Sequence, residues 1–259
     1  VYVVFRSYRL YLGRLESEKS YAEEMANLHM RTIEALALAI EAKDHTTHDH
    51  LQRVQIYALA LGKKMGLDDN QLQALRAASI LHDIGKLAVP EHIISKPGKL
   101  TPEEFEKMKI HPVVGAEILS RVQFPYDVVP IVRAHHERWN GAGYPDGIKG
   151  EQIPLGARIL SIVDCLDALA SDRQYRRALP LDEAMEVIAG EAGKSYEPRI
   201  VKILQENYKE WEVLARSTGP QVRALSTDVA IANGEAPAAG FQKSASGDPQ
   251  QPDFLFSIA

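Results

Sequence analysis

The feature that most limits how this chain can fold is residues 79–90, SILHDIGKLAVP, where His82 and Asp83 stand side by side in an apolar run. Ile80, Leu81 and Ile84 favour burial, and a buried imidazole or carboxylate without a partner is costly. A neutral imidazole beside a carboxylate suits a divalent metal. Adjacent residues on a regular helix point about 100° apart, so one centre can use both only where a helix ends. Gly85 and Pro90 supply such an end. Lys86 adds a positive charge, which makes sense if an anion binds there. Taken alone, the stretch reads equally well as a capped helix end with no metal.

The rest of the chain reads as helix. Residues 7–43 lack Pro and carry one Gly, Gly13, while Leu12, Leu15, Met25, Leu28, Leu36 and Ile40 recur at helical spacing. One helix of that length is roughly 50 Å long. That exceeds what one small domain covers, so its first half is expected to pair with a second copy or an upstream module. Further helices are expected over 46–65, from the cap Asp68 into His82, over 90–94, from Thr101, over 112–122, 127–138, 154–171, 181–191 and 198–211. Alternating strand patterns are almost absent, so the fold class is all-α. After about residue 216 Gly, Ala, Ser, Pro and Gln dominate, which predicts a flexible linker. The closing DFLFSIA is apolar again and reads as the start of a further domain or as a sticky tail. The expected organisation is thus 1–37 as a signalling and dimerisation helix, 38–214 as the working domain and 215–259 as linker.

A formal charge of −5 gives no field that favours a nucleic acid polymer or a membrane surface. An anionic ligand must therefore be held by local cations. The single cysteine, Cys165, excludes an internal disulfide framework and fits a reducing, cytoplasmic setting. No apolar run reaches 18 residues. The start, VYVVFRSYRLY, has its arginines after the apolar patch, unlike a signal peptide and like the cytoplasmic end of a membrane helix.

Other residues point to the same chemistry. His48 lies in KDHTTHDHLQRV with Asp44 one helical turn before it. His45 and His50 read as solvated or supporting groups. His111 precedes Pro112 at a helix start. His135 and His136 diverge on a helix and make sense if both reach a centre at its end, where the glycine loop WNGAGYPDG begins. Asp164 sits mid-helix among Ile, Leu and Val and needs a partner. Asp167 shares its face, and one of the two is expected to be a ligand, the other a structural acceptor. Arg173 and Arg176 are close on a helix and suit phosphate. A carboxylate such as Asp83 can bridge two ions, and this donor set suits iron or manganese. The lack of a suitably placed Cys argues against structural zinc.

With His48, HDIGK at 82–86, VPEHIISKPGKLTPEEFEKMKIHP at 89–112, HHERWNGAGYPDG at 135–147 and IPLGARILSIVDCLDALASDRQYR at 153–176, the sequence resembles the HD-GYP phosphodiesterases, a branch of the HD metal-dependent phosphohydrolases. The resemblance implies an all-helical fold, hydrolysis of cyclic di-GMP and iron or manganese at the metal site; the expected first product is linear pGpG, with a second cut to GMP left open. It implies His48, His82, Asp83, His111, His135, His136 and Asp164 as ligands, with Asp83 bridging. Asp83 and Lys86 would then serve catalysis, and Lys86, Arg173 and Arg176 would contact substrate phosphate. Asp44 stands where members with a third metal are expected to carry Glu. Its shorter side chain favours two metals. Asn140 replaces an acid common before the Gly143-Tyr144-Pro145 loop, and GKSYEP, with Tyr196 and Glu197, replaces a Phe-Asp-Pro pattern. The loop is an expected docking surface for diguanylate cyclase domains. The rival readings are an HD-type phosphohydrolase of mononucleotides and a cyclic-dinucleotide-binding module with weak catalysis. Cyclic GMP-AMP is a nearby alternative substrate.

Overall fold

The computed structural model describes residues 2, 5–18, 20, 21, 24, 48–122, 124–172 and 177–217, with backbone alone at 48 and 49. The chain divides into two compact units, Val1–Leu36 and Ala37–Ala259. In the first, residues 5–18 are helical, and Phe5, Tyr8, Leu12 and Leu15 on them are exposed. The remainder of the helix expected up to residue 43 and the linker expected from 215 lie, apart from a few positions, outside the described residues. No helix among the described residues is long and apolar enough to cross a membrane.

The described part of the second unit is built of helices joined by turns and loops. Helices α1 (His48–Met65), α2 (Asp69–Leu81), α3 (Glu91–Ile94), α4 (Pro102–Met108), α5 (His111–Ser120), α6 (Val128–Ala134), α7 (Leu155–Ala170), α8 (Leu181–Gly190) and α9 (Pro198–Ser217) follow in order. A 3₁₀ turn, Ile84–Ala88, joins α2 to the strap that carries α3 and α4. Among the described residues only one isolated bridge, Ala192 to Tyr196, has β character.

Local chemistry sets the boundaries. Asp68 and Gln71 form a reciprocal capping box at the start of α2, as Thr101 and Glu104 do before α4. Gly66, at a positive φ of 82°, turns the chain out of α1. Two expected ends move. The helix expected over 127–138 stops at Ala134, because His135 is its C-cap and the Glu137 N–H donates to the Ala134 carbonyl, 3.0 Å, in a turn. The last helix runs on to Ser217 rather than 211.

Helix α7 is the hub. Ile159, Leu160, Ile162, Val163, Leu166 and Leu169 on it are buried, and it packs against α1, α2, α6, α8 and α9. Closing each such side chain from water contributes about 1.5–3 kcal/mol. Helix α1 packs on α2 and α9, while α5 lies against the 3₁₀ turn and α6. The strap has its own small core of Val89, Ile93 and Met108. This arrangement brings the ends of α2, α4 and α6 toward one flank of α7, where the ionisable residues of the sequence collect.

Candidate metal centre

Three histidines reach the centre from helix ends. His82 is the C-cap of α2, His135 is the C-cap of α6, and His111 follows α4 by three residues. The last carbonyls of a helix have no intrahelical partner. Here each accepts from an imidazole three residues on. His82 Nδ1 bonds Ser79 O at 3.1 Å, His111 Nδ1 bonds Met108 O at 2.8 Å and His135 Nδ1 bonds Val132 O at 2.6 Å. A carbonyl can only accept, so each Nδ1 carries the proton and each Nε2 presents a lone pair to the interior.

Those lone pairs converge in two groups. His111, His135 and His136 form one, and His50, His82 and Asp164 form the other, with the donor atoms of each group within 4.8 Å of one another. His111 Nε2 lies 3.1 Å from His136 Nε2 and 3.4 Å from His135 Nε2. Asp164 Oδ1 lies 3.6 Å from His50 Nε2 and 3.8 Å from His82 Nε2. Asp83 stands between the groups. Its Oδ2 is 3.4 Å from His82 Nε2 and its Oδ1 is 3.6 Å from His111 Nε2. The 3₁₀ turn then brings Lys86 Nζ back to within 2.9 Å of Asp83 Oδ2.

This close approach depends on Gly85. A Cβ there would lie 1.9 Å from the His111 carbonyl oxygen and 2.5 Å from Gly115 N. Only glycine lets the turn lie against the start of α5 and set Asp83 beside His111.

The electrostatics favour a cation. Burial holds the His111 imidazole down at about 4 against the pull of Asp83. Burial and the neighbouring imidazoles hold His135 and His136 well below the ordinary histidine value. Burial works against the charge on Asp83, but Lys86, His82, His111 and His135 together hold its carboxyl well below the usual range. His82 Nε2 is buried and has no hydrogen-bond partner. A buried lone pair left bare costs about 1–3 kcal/mol. Imidazole lone pairs 3.1–3.4 Å apart are likewise poor company for one another unless a cation lies among them. Neutral imidazoles with ionised carboxylates are the donor state a borderline divalent metal requires. The residues therefore fit such a metal, one in each group with Asp83 shared.

Of the positions singled out in the sequence, the structure brings together His82, Asp83, Lys86, His111, His135, His136 and Asp164. It corrects the reading of His50 as a solvated or supporting group: His50 is buried and belongs to the second group. The side chain of His48 lies outside the described residues, as do Asp44, Arg173 and Arg176. The signal for His50 was the buried stripe Leu51, Val54, Tyr57, Ala58 and Leu61, which continues back to it at helical spacing.

The glycine loop and its neighbours surround this centre. Tyr144 stacks on His136, ring centroids 4.9 Å apart, and meets Phe105 of α4 edge-on at 6.0 Å. Glu137 is buried, and its Oε1 accepts from the backbone N–H of Asp146 at 2.7 Å and Gly147 at 2.9 Å. It pins the glycine loop over His136. At Gly143 a Cβ would lie 2.3 Å from Arg138 N, so the loop rests directly on the backbone beneath it. Asn140 Oδ1 accepts from Ala142 N at 2.9 Å, an Asx turn inside the loop. Glu197 pairs with Arg158 at 2.5 Å.

Residues 22–200 match the HD domain family. A cyclic di-GMP phosphodiesterase of Thermotoga maritima is 38% identical over 204 residues, 78% of this chain and 55% of the relative. The cyclic di-GMP phosphodiesterase response regulator RpfG of Xanthomonas campestris pv. campestris is 40% identical over 183 residues, 70% of this chain and 48% of the relative. The chain thus spans about half the length of the curated relatives it matches. The crystal structure of a cyclic GMP-AMP specific phosphodiesterase of V. cholerae has the same fold, with a TM-score of 0.56 at 19% identity over 72% of this chain and 51% of the other.

Proposed function

This chain belongs to the HD domain family, and from that premise we propose that it hydrolyses the phosphodiester bonds of cyclic di-GMP with a pair of divalent metal ions. The observation that carries this reading is Asp83, whose two carboxylate oxygens face the two histidine groups separately. Among the described residues His50, His82 and Asp164 would hold one ion, His111, His135 and His136 the other, and Asp83 both. We take the ions to be iron or manganese, which accept such nitrogen and oxygen donors, and two rather than three. When bound, the ions supply Lewis-acid stabilisation of phosphate charge and lower the pKa of water to near neutrality.

The chain's own residues do the rest. Nδ1 contacts to the backbone fix three imidazoles before substrate arrives, so little reorganisation is needed. Lys86 Nζ, 2.9 Å from Asp83, stands where a phosphate oxygen can share its charge. Tyr144 and Phe105 give an apolar wall beside the centre that suits a purine face. Arg173 and Arg176 would add further contacts to phosphate. Water adds across one P–O3′ bond and leaves a 5′-phosphate and a free 3′-hydroxyl, which is linear pGpG. A second hydrolysis gives GMP. The surrounding organisation follows the same reading: residues 1–37 form a dimerisation and signalling helix, the catalytic domain runs from 38 to the end of α9 at Ser217, three residues past the expected 214, and a linker follows. The location is cytoplasmic, and the Gly143–Pro145 loop docks diguanylate cyclase domains.

The test is a turnover assay with elemental analysis on the same anaerobically purified sample. Cyclic di-GMP, cyclic GMP-AMP, pGpG and nucleoside triphosphates are offered in parallel. Cleavage of cyclic di-GMP with about two metals per chain supports the reading. Hydrolysis of triphosphates alone overturns the substrate. A His82→Ala/Asp83→Ala double variant that stays within about tenfold of wild type overturns the metal assignment. A pull-down of cyclase domains unaffected by altering Gly143–Pro145 removes the docking role.

A further inference from the structure

His82, His111 and His135 lean on neutral carbonyls, but His50 leans on a charge. Its Nδ1 is 2.7 Å from Asp167 Oδ2, and Asp167 is only 8% exposed. Asp167 is itself clamped. Its Oδ1 accepts from Arg53 Nε at 2.5 Å, and its Oδ2 accepts from Arg53 Nη2 at 3.1 Å and Ser171 Oγ at 3.2 Å. Arg53 Nη2 also donates to Ser171 Oγ at 2.7 Å. His50 and Arg53 are three positions apart on α1, and Ser171, the C-cap of α7, follows Asp167 by four. One carboxylate therefore closes on two neighbouring side chains of the facing helix. It leaves the His50 ring one orientation, with Nε2 toward Asp164 Oδ1.

On the reading that this centre holds two metal ions, we infer that Asp167, clamped by Arg53, is a positioning residue that makes the His50 half of the centre the tighter of two unequal metal sites. Two features of the half-sites point the same way. An imidazole backed by a carboxylate is a stronger donor than one backed by a carbonyl. The His50, His82 and Asp164 group also carries a carboxylate of its own, whereas the His111, His135 and His136 group has imidazoles alone. With Asp83 shared, a divalent cation gains more from the anionic half. Arg53 keeps Asp167 in place, and its fork geometry holds both carboxylate oxygens at once.

The full chain, stripped with chelator, is titrated with Co²⁺ while bound metal is read by equilibrium dialysis and by the visible absorption of the ion. Wild type is expected to fill two sites in two resolved steps. Asp167→Asn is expected to weaken the tighter step about 10–100-fold and to leave the other within about threefold. Arg53→Lys, which keeps the charge and loses the fork, shifts the same step by a smaller factor and carries the test if the Asn variant does not fold. His136→Ala is expected to weaken the other step. Equal weakening of both steps by Asp167→Asn, no weakening, or two indistinguishable steps in wild type overturns the inference. A wild-type chain that binds fewer than two ions overturns the two-metal reading beneath it, which is a separate outcome.

Discussion

His82 and His50 face the same oxygen of Asp164 and are held there by different means. His82 sits where a helix ends, and a backbone carbonyl three residues away sets its ring. His50 sits inside α1, and its ring is set by a carboxylate 117 positions further along the chain. The difference is one of range. A ring oriented by its own helix end depends on local signals such as glycine, proline and capping residues. A ring oriented by a distant side chain depends on helical register and on the packing of two helices.

The strongest way to break the local half is Gly85→Ala. The new Cβ would meet backbone atoms of His111 and Gly115, which cannot step aside cheaply. A loss of about 3 kcal/mol or more in denaturant unfolding is expected, together with lower bound metal. A variant with normal stability and metal content would show that the strap adapts more freely than its packing indicates. Register is the weak point of the distant half, and paired variants address it. His50→Ala is expected to lower bound metal from two ions to at most one, while His48→Ala retains both. The reverse result restores His48 to the centre.

Acidification separates the two halves further. In chelator-treated protein, burial should hold the folded His111 imidazole at about 4 against an ordinary value of 6.5. Between those values the unfolded chain takes up a proton that the folded chain refuses, so stability is full above pH 6.5 and falls as pH drops toward 4. His135 and His136 act in the same sense. His50 acts in the opposite sense. Burial lowers its pKa, but Asp167, Asp164 and Asp83 outweigh burial and raise it. Its contribution is present below 6.5 and is lost as pH rises through its folded value. Three groups against one give a net loss on acidification, read as a lower urea midpoint at pH 5 than at pH 7.5. His50→Gln should make that loss steeper. A midpoint that rises on acidification would reverse the comparison.

The smallest expected effect is that of Thr101→Ala. It removes the side-chain acceptor of the capping box of α4, the helix whose final carbonyl orients His111. About 1 kcal/mol of stability should be lost, with metal content unchanged.

The same contrast explains what could be read without coordinates. Helix ends were legible at Asp68, Thr101 and Gly66 because capping acts within a few residues. So was the convergence of His82, Asp83 and Lys86 with His111 and the His135-His136 pair, since each lies beside a helix stop or start. The burial of His50 was not legible, because its signal is register: Val54, Tyr57 and Leu61 follow it at helical spacing, and that stripe is buried only once α1 packs. That one of Asp164 and Asp167 would be a structural acceptor was legible; which groups Asp167, Glu137 and Tyr144 meet was not, because those partners come from loops and helices that only tertiary packing brings near.

The contact between His50 and Asp167 also bears on the order in which the molecule assembles. Joining residues 117 positions apart costs chain entropy that is recovered only once the intervening helices have packed. The helix-end imidazoles depend only on their own helices, so α1 closing on α7 is expected to complete the centre late in folding. Interactions made after the rate-limiting step change the rate of unfolding more than the rate of folding. Loosening Arg53 or Asp167 should therefore shorten the lifetime of the finished centre while hardly slowing its construction.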